Sequence, residues 1–118
     1  MAIKTNFDQE RWQEHRENWT KWWNRELDRP VVVIETFEEN ESCRKLKEKY
    51  PGKNYPAQFS LDEPAENVVE FFQAQIESTC FHGDSWPRWW PYFGPAIMAG
   101  FLGAELNIRD DTVWYSPP

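Results

Sequence analysis

The residues best suited to chemistry lie close together between positions 80 and 88. Asp84 follows the end of a predicted strand and begins a loop rich in aromatic residues and proline. Enzymes often place catalytic groups in loops that follow strands, so we predict that Asp84 is a catalytic carboxylate. The alternative is an Asx-type turn, in which the Asp84 side chain accepts a hydrogen bond from backbone two residues further on. The catalytic interpretation implies that Asp84→Asn abolishes turnover and leaves the melting temperature nearly unchanged.

His82 is the second candidate catalytic residue, because an imidazole two residues before Asp84 could transfer a proton. A structural hydrogen bond beside Trp86 is the alternative for this side chain. Cys80 and His82 alternate along the same strand, but a Cys-x-His pair is a weak zinc signal, since tetrahedral zinc needs further ligands. We therefore predict no metal site and no cofactor in this segment. His15 is expected to be solvated on the polar face of the first helix.

Three residues are candidates for substrate binding: Glu35, Trp86 and Arg88. Glu35 lies beside the end of the first predicted strand, and Arg88 could meet a substrate carboxylate or stack on an indole. Ordinary surface packing is the alternative for Arg88. The surrounding rings could form a wall for a flat ligand or fill a core. These rings are Trp86, Trp89, Trp90, Tyr92 and Phe93.

Local patterns predict the elements that position these residues. Tryptophans at helical spacing predict a helix over residues 7–27, with Asn6 or Asp8 as N-cap. The β-branched run at 30–34 predicts a strand covered on both faces, as in a parallel sheet or barrel wall. The polar, charged stretch at 38–58 predicts a short helix followed by a loop. Ser60 and Glu63 have the spacing of a capping box, which predicts a helix that begins there and ends near residue 77. A strand at 78–82, a helix at 96–102 and paired strands at 105–108 and 112–115 follow.

Composition excludes several classes of protein. The 118 residues carry a net charge of -7, which opposes binding to a phosphate backbone, so we predict no nucleic-acid partner. The N-terminus lacks an apolar signal region, and no apolar stretch approaches the roughly 20 residues of a membrane helix. The two cysteines lack CxxC spacing. We therefore expect a reduced, cytoplasmic protein with no membrane partner.

The order of several short motifs resembles the opening of bacterial proteins in the uroporphyrinogen decarboxylase superfamily, particularly its decarboxylase-like members. The motifs are the tryptophan-bearing helix, LDRPVV at 27–32, GDSWP at 83–87, GP at 94–95, FLGAEL at 101–106 and DTVW at 111–114. The resemblance implies an α/β fold and an N-terminal fragment of a (β/α)8 barrel, which typically needs about 250 residues. Residues 1–118 would then form a partial domain, with the N-terminal helix in 1–29 and the first barrel elements and aromatic loop in 30–118.

The resemblance also implies a reaction class. The superfamily contains lyases that decarboxylate a tetrapyrrole without a cofactor, and methyltransferases that move a methyl group between a corrinoid and a thiol at a zinc site. The implied partner is a small-molecule substrate, a tetrapyrrole or corrinoid, while corrinoid or zinc would belong to a full-length relative. In the decarboxylases an acidic residue orients the pyrrole N–H groups of the substrate, and Asp84 in the GDSWP segment matches it by position. Residues 35–39 are acidic where those enzymes are arginine-rich, which argues against a polycarboxylate substrate.

A second functional class remains open from the sequence alone. The chain could be a complete small α/β binding module that uses its aromatic loop for a planar or apolar ligand or for a partner protein. Under the barrel interpretation, by contrast, the isolated chain should be inactive and should expose apolar surface. The sequence does not determine the oligomeric state.

Overall fold

Residues 4–117 are described by the computed structural model, and within them helices and strands are mixed. The helices are α1 (Gln9–Trp23), α2 (Glu41–Lys49), α3 (Ala65–Glu77) and α4 (Ile97–Phe101), with a short 3-10 helix at Pro56–Gln58. The strands are β1 (Val33–Phe37), β2 (Thr79–Gly83), β3 (Glu105–Ile108) and β4 (Val113–Ser116). The predicted α/β class is confirmed. No closed barrel forms among these residues, because the strands make two separate two-stranded sheets.

The direction and covering of the first strand differ from the prediction. β1 pairs antiparallel with β2, with Glu35 opposite Phe81, and all five β1 residues are exposed. The expectation of a parallel strand covered on both faces is therefore wrong for this pair. A β-branched run favours extended backbone, but the partner and its direction depend on the long connection through α2 and α3, which the run itself does not encode.

Helix α1 begins as predicted and ends earlier. Asp8 caps it by accepting a hydrogen bond from the Arg11 backbone N–H at 2.9 Å, which satisfies a donor of the first turn. After Trp23 the chain leaves the helix, and Arg25 adopts a left-handed φ of 61°. The tryptophan stripe is therefore cut short, and Trp23 is 73% exposed instead of buried.

The central core lies beneath α2 and α3. Its buried members are Phe59, Phe71 and Phe72, and Leu46, Tyr50 and Val68 pack against them. The capping box expected at Ser60 and Glu63 is absent, because α3 begins at Ala65 after Pro64 without a side-chain cap. The Glu63 carboxylate instead accepts hydrogen bonds from the Tyr50 hydroxyl and the Asn67 side-chain amide, each at 2.6 Å.

The C-terminal hairpin of β3 and β4 forms close to where the sequence predicts it. Val113 is fully buried, and the Tyr55 hydroxyl donates to the backbone carbonyl of Thr112 at 2.9 Å. The Tyr92 hydroxyl bonds the Thr112 side chain at 3.0 Å. Tyr55 lies in the segment after α2 and Tyr92 in the loop after β2, so side chains from both segments hold the hairpin in place. None of the helices in residues 4–117 is long and apolar enough to cross a membrane.

Candidate functional site

The Asp84 carboxylate lies at the centre of the best-connected polar cluster near the predicted site. Its two oxygens accept bonds from the Arg29 guanidinium at 2.7 and 2.8 Å, a bidentate ion pair. One oxygen also accepts the Val32 backbone N–H at 2.9 Å, and the other contacts the Asn18 amide at 3.4 Å. The Asp84 side chain is 2% exposed, whereas that of Arg29 is 45% exposed. The cluster thus buries the anion and leaves its counterion partly in water.

The backbone around Asp84 makes further contacts between α1, β1 and β2, and we call the whole arrangement the Asp84 junction. The Asp84 N–H donates to the Val32 carbonyl at 2.6 Å, and the Asp84 carbonyl accepts the Trp19 indole N–H at 3.0 Å. Gly83 has a φ of 59°, and a Cβ there would lie 2.4 Å from the Val32 carbonyl oxygen, so only glycine fits. The Ser85 hydroxyl donates to the Ile34 carbonyl at 2.9 Å. Asp84 therefore joins α1, the start of β1 and the end of β2.

These contacts determine the charge state of Asp84. Hydrogen bonding from Arg29 lowers its pKa from 3.8 to about 2, against the opposing effect of burial. A carboxylate that stays ionised and has its oxygens engaged binds cationic groups well and is a weak general base. Within residues 4–117 the Asp84 carboxylate accepts hydrogen bonds from Asn18, Arg29 and Val32, and it forms no Asx-type turn. The catalytic role of Asp84 stays a prediction, and the structure adds a positioning role.

His82 lies on the opposite face of the β1–β2 sheet from Glu35. Its imidazole Nε2 is 3.0 Å from the Thr36 hydroxyl, and the side chain is exposed. Because side chains alternate along a strand, Phe81 and its cross-strand partner Glu35 face the other way. The structure therefore does not bring His82 together with Glu35. Its role in proton transfer stays a prediction.

The three predicted substrate-binding residues come together. Arg88 forms an ion pair with Glu35 at 2.9 Å, and its guanidinium lies 5.0 Å from the Trp86 ring centroid. Beside them is a cleft of about 140 Å³. Its lining residues are Glu35, Phe72, Gln75, Ile76, Thr79, Phe81, Arg88, Trp89 and Trp90. We call it the Glu35–Arg88 cleft. An ion pair beside exposed rings can offer a ligand both a hydrogen-bond acceptor and a cation.

Two contributors to this region were missed by sequence reasoning. In the sequence Arg29 stands out only as part of the LDRPVV motif, since nothing local links it to a carboxylate 55 positions away. His15 was expected to be solvated, but its ring lies 4.8 Å from Trp86 and 5.8 Å from Trp19. Its Nδ1 is buried without a hydrogen-bond partner among the described residues. The spacing of His15, Trp19 and Trp12 along one helical face was the available signal.

No three His, Cys, Asp or Glu side chains within residues 4–117 converge as a metal site requires. Cys43 and Cys80 are free thiols. Comparison with known proteins gives no relative: no protein-family model matches the chain, and no curated protein or solved structure matches it significantly.

The Asp84 junction predicts acid sensitivity. The pKa of Asp84 is lower in the folded chain than in the unfolded chain, so the ionised carboxylate stabilises the fold at any pH above its unfolded pKa. This stabilisation is lost as the pH falls from about 4 to 2. We expect Asp84→Asn to lower the free energy of unfolding by about 2 kcal/mol at pH 7, and by much less near pH 2. This expectation differs from the nearly unchanged melting temperature that the catalytic interpretation implies for a full-length relative. Denaturant titrations across this range test it, with the exposed Asp62→Asn as control; equal stability of wild type and Asp84→Asn at pH 7 would refute it.

The aromatic surroundings of His15 predict a second pH dependence. Burial lowers the pKa of His15 below 6.5, and this outweighs the opposing charge of Asp84. The unfolded chain therefore takes up a proton more readily, so His15 makes the fold less stable as pH falls below about 6.5. We expect His15→Gln to flatten the slope of unfolding free energy against pH between 7.5 and 5.5. An unaltered slope in His15→Gln would contradict this assignment.

Proposed function

We propose that this chain is the N-terminal part of a uroporphyrinogen decarboxylase-like barrel enzyme, a decarboxylase-like lyase or a corrinoid-dependent methyltransferase-like protein. In this proposal further polypeptide covers its exposed apolar surface and completes the barrel, and the 118 residues alone have no activity. The motif order described above supports the family. The observation that carries the proposal is the amount of apolar surface left uncovered.

The accessible surface is larger than is usual for a compact monomer of this mass, which supports the proposal. A folded monomer of 14.2 kDa is expected to expose about 6,800 Å², whereas this chain exposes 8760 Å². Its radius of gyration is 17.6 Å, against about 13 to 14 Å for a compact chain of this length. The excess of about 2,000 Å² exceeds the roughly 800 Å² that one partner buries in a standard interface.

Much of the surface is apolar and lies on particular elements. Among residues 4–117, nineteen large apolar side chains are exposed, more than twice the nine apolar side chains that are buried. They include Ile34 and Phe37 on β1, Met98 and Phe101 on α4, and Trp114 on β4. β1 also has an unpaired edge. Apolar surface on this scale is typical of a region that another polypeptide covers.

The antiparallel pairs constrain the proposal. Barrel strands are parallel, so β1–β2 and β3–β4 would lie outside the eight-stranded wall, which further chain would supply. The Glu35–Arg88 cleft would then contribute to a site closed by that chain. Zinc or a corrinoid, if used, would be held by residues beyond those described.

The proposal predicts a difference between the 118 residues and a longer product. The isolated chain should bind a hydrophobic dye such as anilinonaphthalene sulfonate and catalyse neither tetrapyrrole decarboxylation nor methyl transfer. A polypeptide extended beyond position 118 by the roughly 250 residues of a whole barrel should bind less dye per molecule and melt at a higher temperature. A stop codon directly after position 118 in an intact gene, with a monodisperse and cooperatively melting monomer, would refute it.

A small binding module is the second candidate function, and the convergence of Glu35, Trp86 and Arg88 favours it. Arg88 can pair with a ligand carboxylate, while the Glu35 carboxylate can accept an N–H. Trp89 and Trp90 are exposed beside the cleft and offer flat apolar surface. A planar ligand that carries a carboxylate, such as a porphyrin, fits these groups. Because Glu35 already pairs with Arg88, it competes with such a carboxylate.

This candidate predicts opposite effects of two substitutions. In a titration with a carboxylated porphyrin followed by tryptophan fluorescence, Arg88→Gln should weaken binding by about tenfold because the ion pair to the ligand is lost. Glu35→Gln should strengthen binding, since it frees Arg88. Arg44→Gln is the control, because Arg44 pairs with Glu41 on the surface of α2. Equal quenching by all four proteins would eliminate the cleft as a carboxylate site.

A further inference from the structure

An open groove of about 800 Å³ runs between α2 and α3, and it shares no lining residue with the Glu35–Arg88 cleft. We call it the α2–α3 groove. It is lined by Lys4, Ser42, Leu46, Ala65, Glu66, Val69, Glu70, Gln73, Ala74 and Glu77. The α3 members recur at helical spacing, so they form one continuous stripe along that helix.

The floor of the groove is apolar and made of small side chains. Ala74 is buried, Leu46 is half-buried, and Val69 is 50% exposed in the described structure. Ser42 and Ala65 add little bulk on either side. Small residues allow a helix backbone to approach closely, and helices pack at about 8 to 10 Å between axes. The floor therefore suits an aliphatic helix face better than a bulky ring.

The rim of the groove is acidic. Glu66, Glu70 and Glu77 line it, and none of them takes part in an ion pair found among residues 4–117. Glu77 accepts a hydrogen bond from the Lys4 backbone N–H at 3.1 Å. Lys4 is the basic side chain that lines the groove. An apolar floor with a carboxylate rim is complementary to an aliphatic face flanked by cations.

We propose that the α2–α3 groove binds a basic amphipathic helix of a partner protein. Such a helix would place leucine-like side chains over Leu46 and Val69, and lysine or arginine side chains against Glu66 and Glu70. α3 has 13 residues, which corresponds to about 20 Å, so three to four turns of partner helix span it. A second copy of this chain is a poorer occupant, because each copy carries a net charge of -7. This inference does not depend on the proposed barrel function.

The probe is a fluorescein-labelled 15-residue helical peptide of leucine, alanine and lysine, with leucine at every third or fourth position. Anisotropy titrations at two salt concentrations should show binding that weakens with salt. Val69→Asn should weaken binding at least tenfold by removing the apolar floor. The double variant Glu66→Gln/Glu70→Gln should weaken it about fivefold and reduce the salt dependence. Glu10→Gln/Glu14→Gln on α1 removes the same charge elsewhere and should leave binding unchanged.

Two comparisons separate the groove from general attraction to an acidic protein. A scrambled peptide of the same composition should bind at least tenfold more weakly, because it lacks the aliphatic face. Equal binding of the two peptides, or equal loss in the α1 control, would overturn the proposal. Sedimentation of the chain without peptide is the last measurement. A dimer that Val69→Asn dissociates would assign the groove to a second copy of this chain and would also overturn the proposal.

Discussion

The ion pair between the buried Asp84 carboxylate and Arg29 is the interaction on which the arrangement of α1, β1 and β2 depends. A carboxylate that is 2% exposed needs full compensation, because a buried charge without partners is strongly destabilising. Here the compensation comes from three places: the guanidinium, the Val32 backbone N–H and the Asn18 amide. Asn18 lies within α1, whereas Arg29 and Val32 lie in the segment that follows the helix. The Asp84 carboxylate therefore ties this segment, and through Asn18 the helix itself, to the end of β2.

The same junction positions the candidate cleft. Asp84 and Gly83 fix the end of β2 against Val32, and the chain that follows places Trp86 against Trp19 of α1, with ring centroids 5.1 Å apart. Arg88 then lies over Trp86 and reaches Glu35. The path from a buried charge to an exposed ion pair covers five residues. Asp84 therefore influences ligand chemistry through position, whether or not it contacts a ligand.

Local signals in the sequence predicted local structure well. The Asp8 cap and the C-terminal hairpin follow from hydrogen-bonding chemistry within a few residues. The antiparallel direction of β1 and the Arg29–Asp84 pair depend on contacts between residues more than 40 positions apart, and no spacing rule encodes them. His15 is an intermediate case, because its environment includes both its own helix and Trp86. Glu35, Trp86 and Arg88 were chosen for their chemistry, and the fold brought them together.

The uncovered surfaces differ in chemistry, and this difference constrains what can cover them. β1, α4 and β4 each expose apolar side chains, and β1 also has an unpaired edge, so a segment that covers β1 must supply both apolar contacts and backbone hydrogen bonds. The α2–α3 groove has a carboxylate rim and a helix on each side, so its partner must supply cationic side chains and does not need to add a strand. A single partner element cannot cover both places. A strand that pairs with β1 binds through its backbone groups, whereas an element in the α2–α3 groove binds through cationic side chains. Continuation of a barrel would meet the first demand, and a separate basic helix would meet the second.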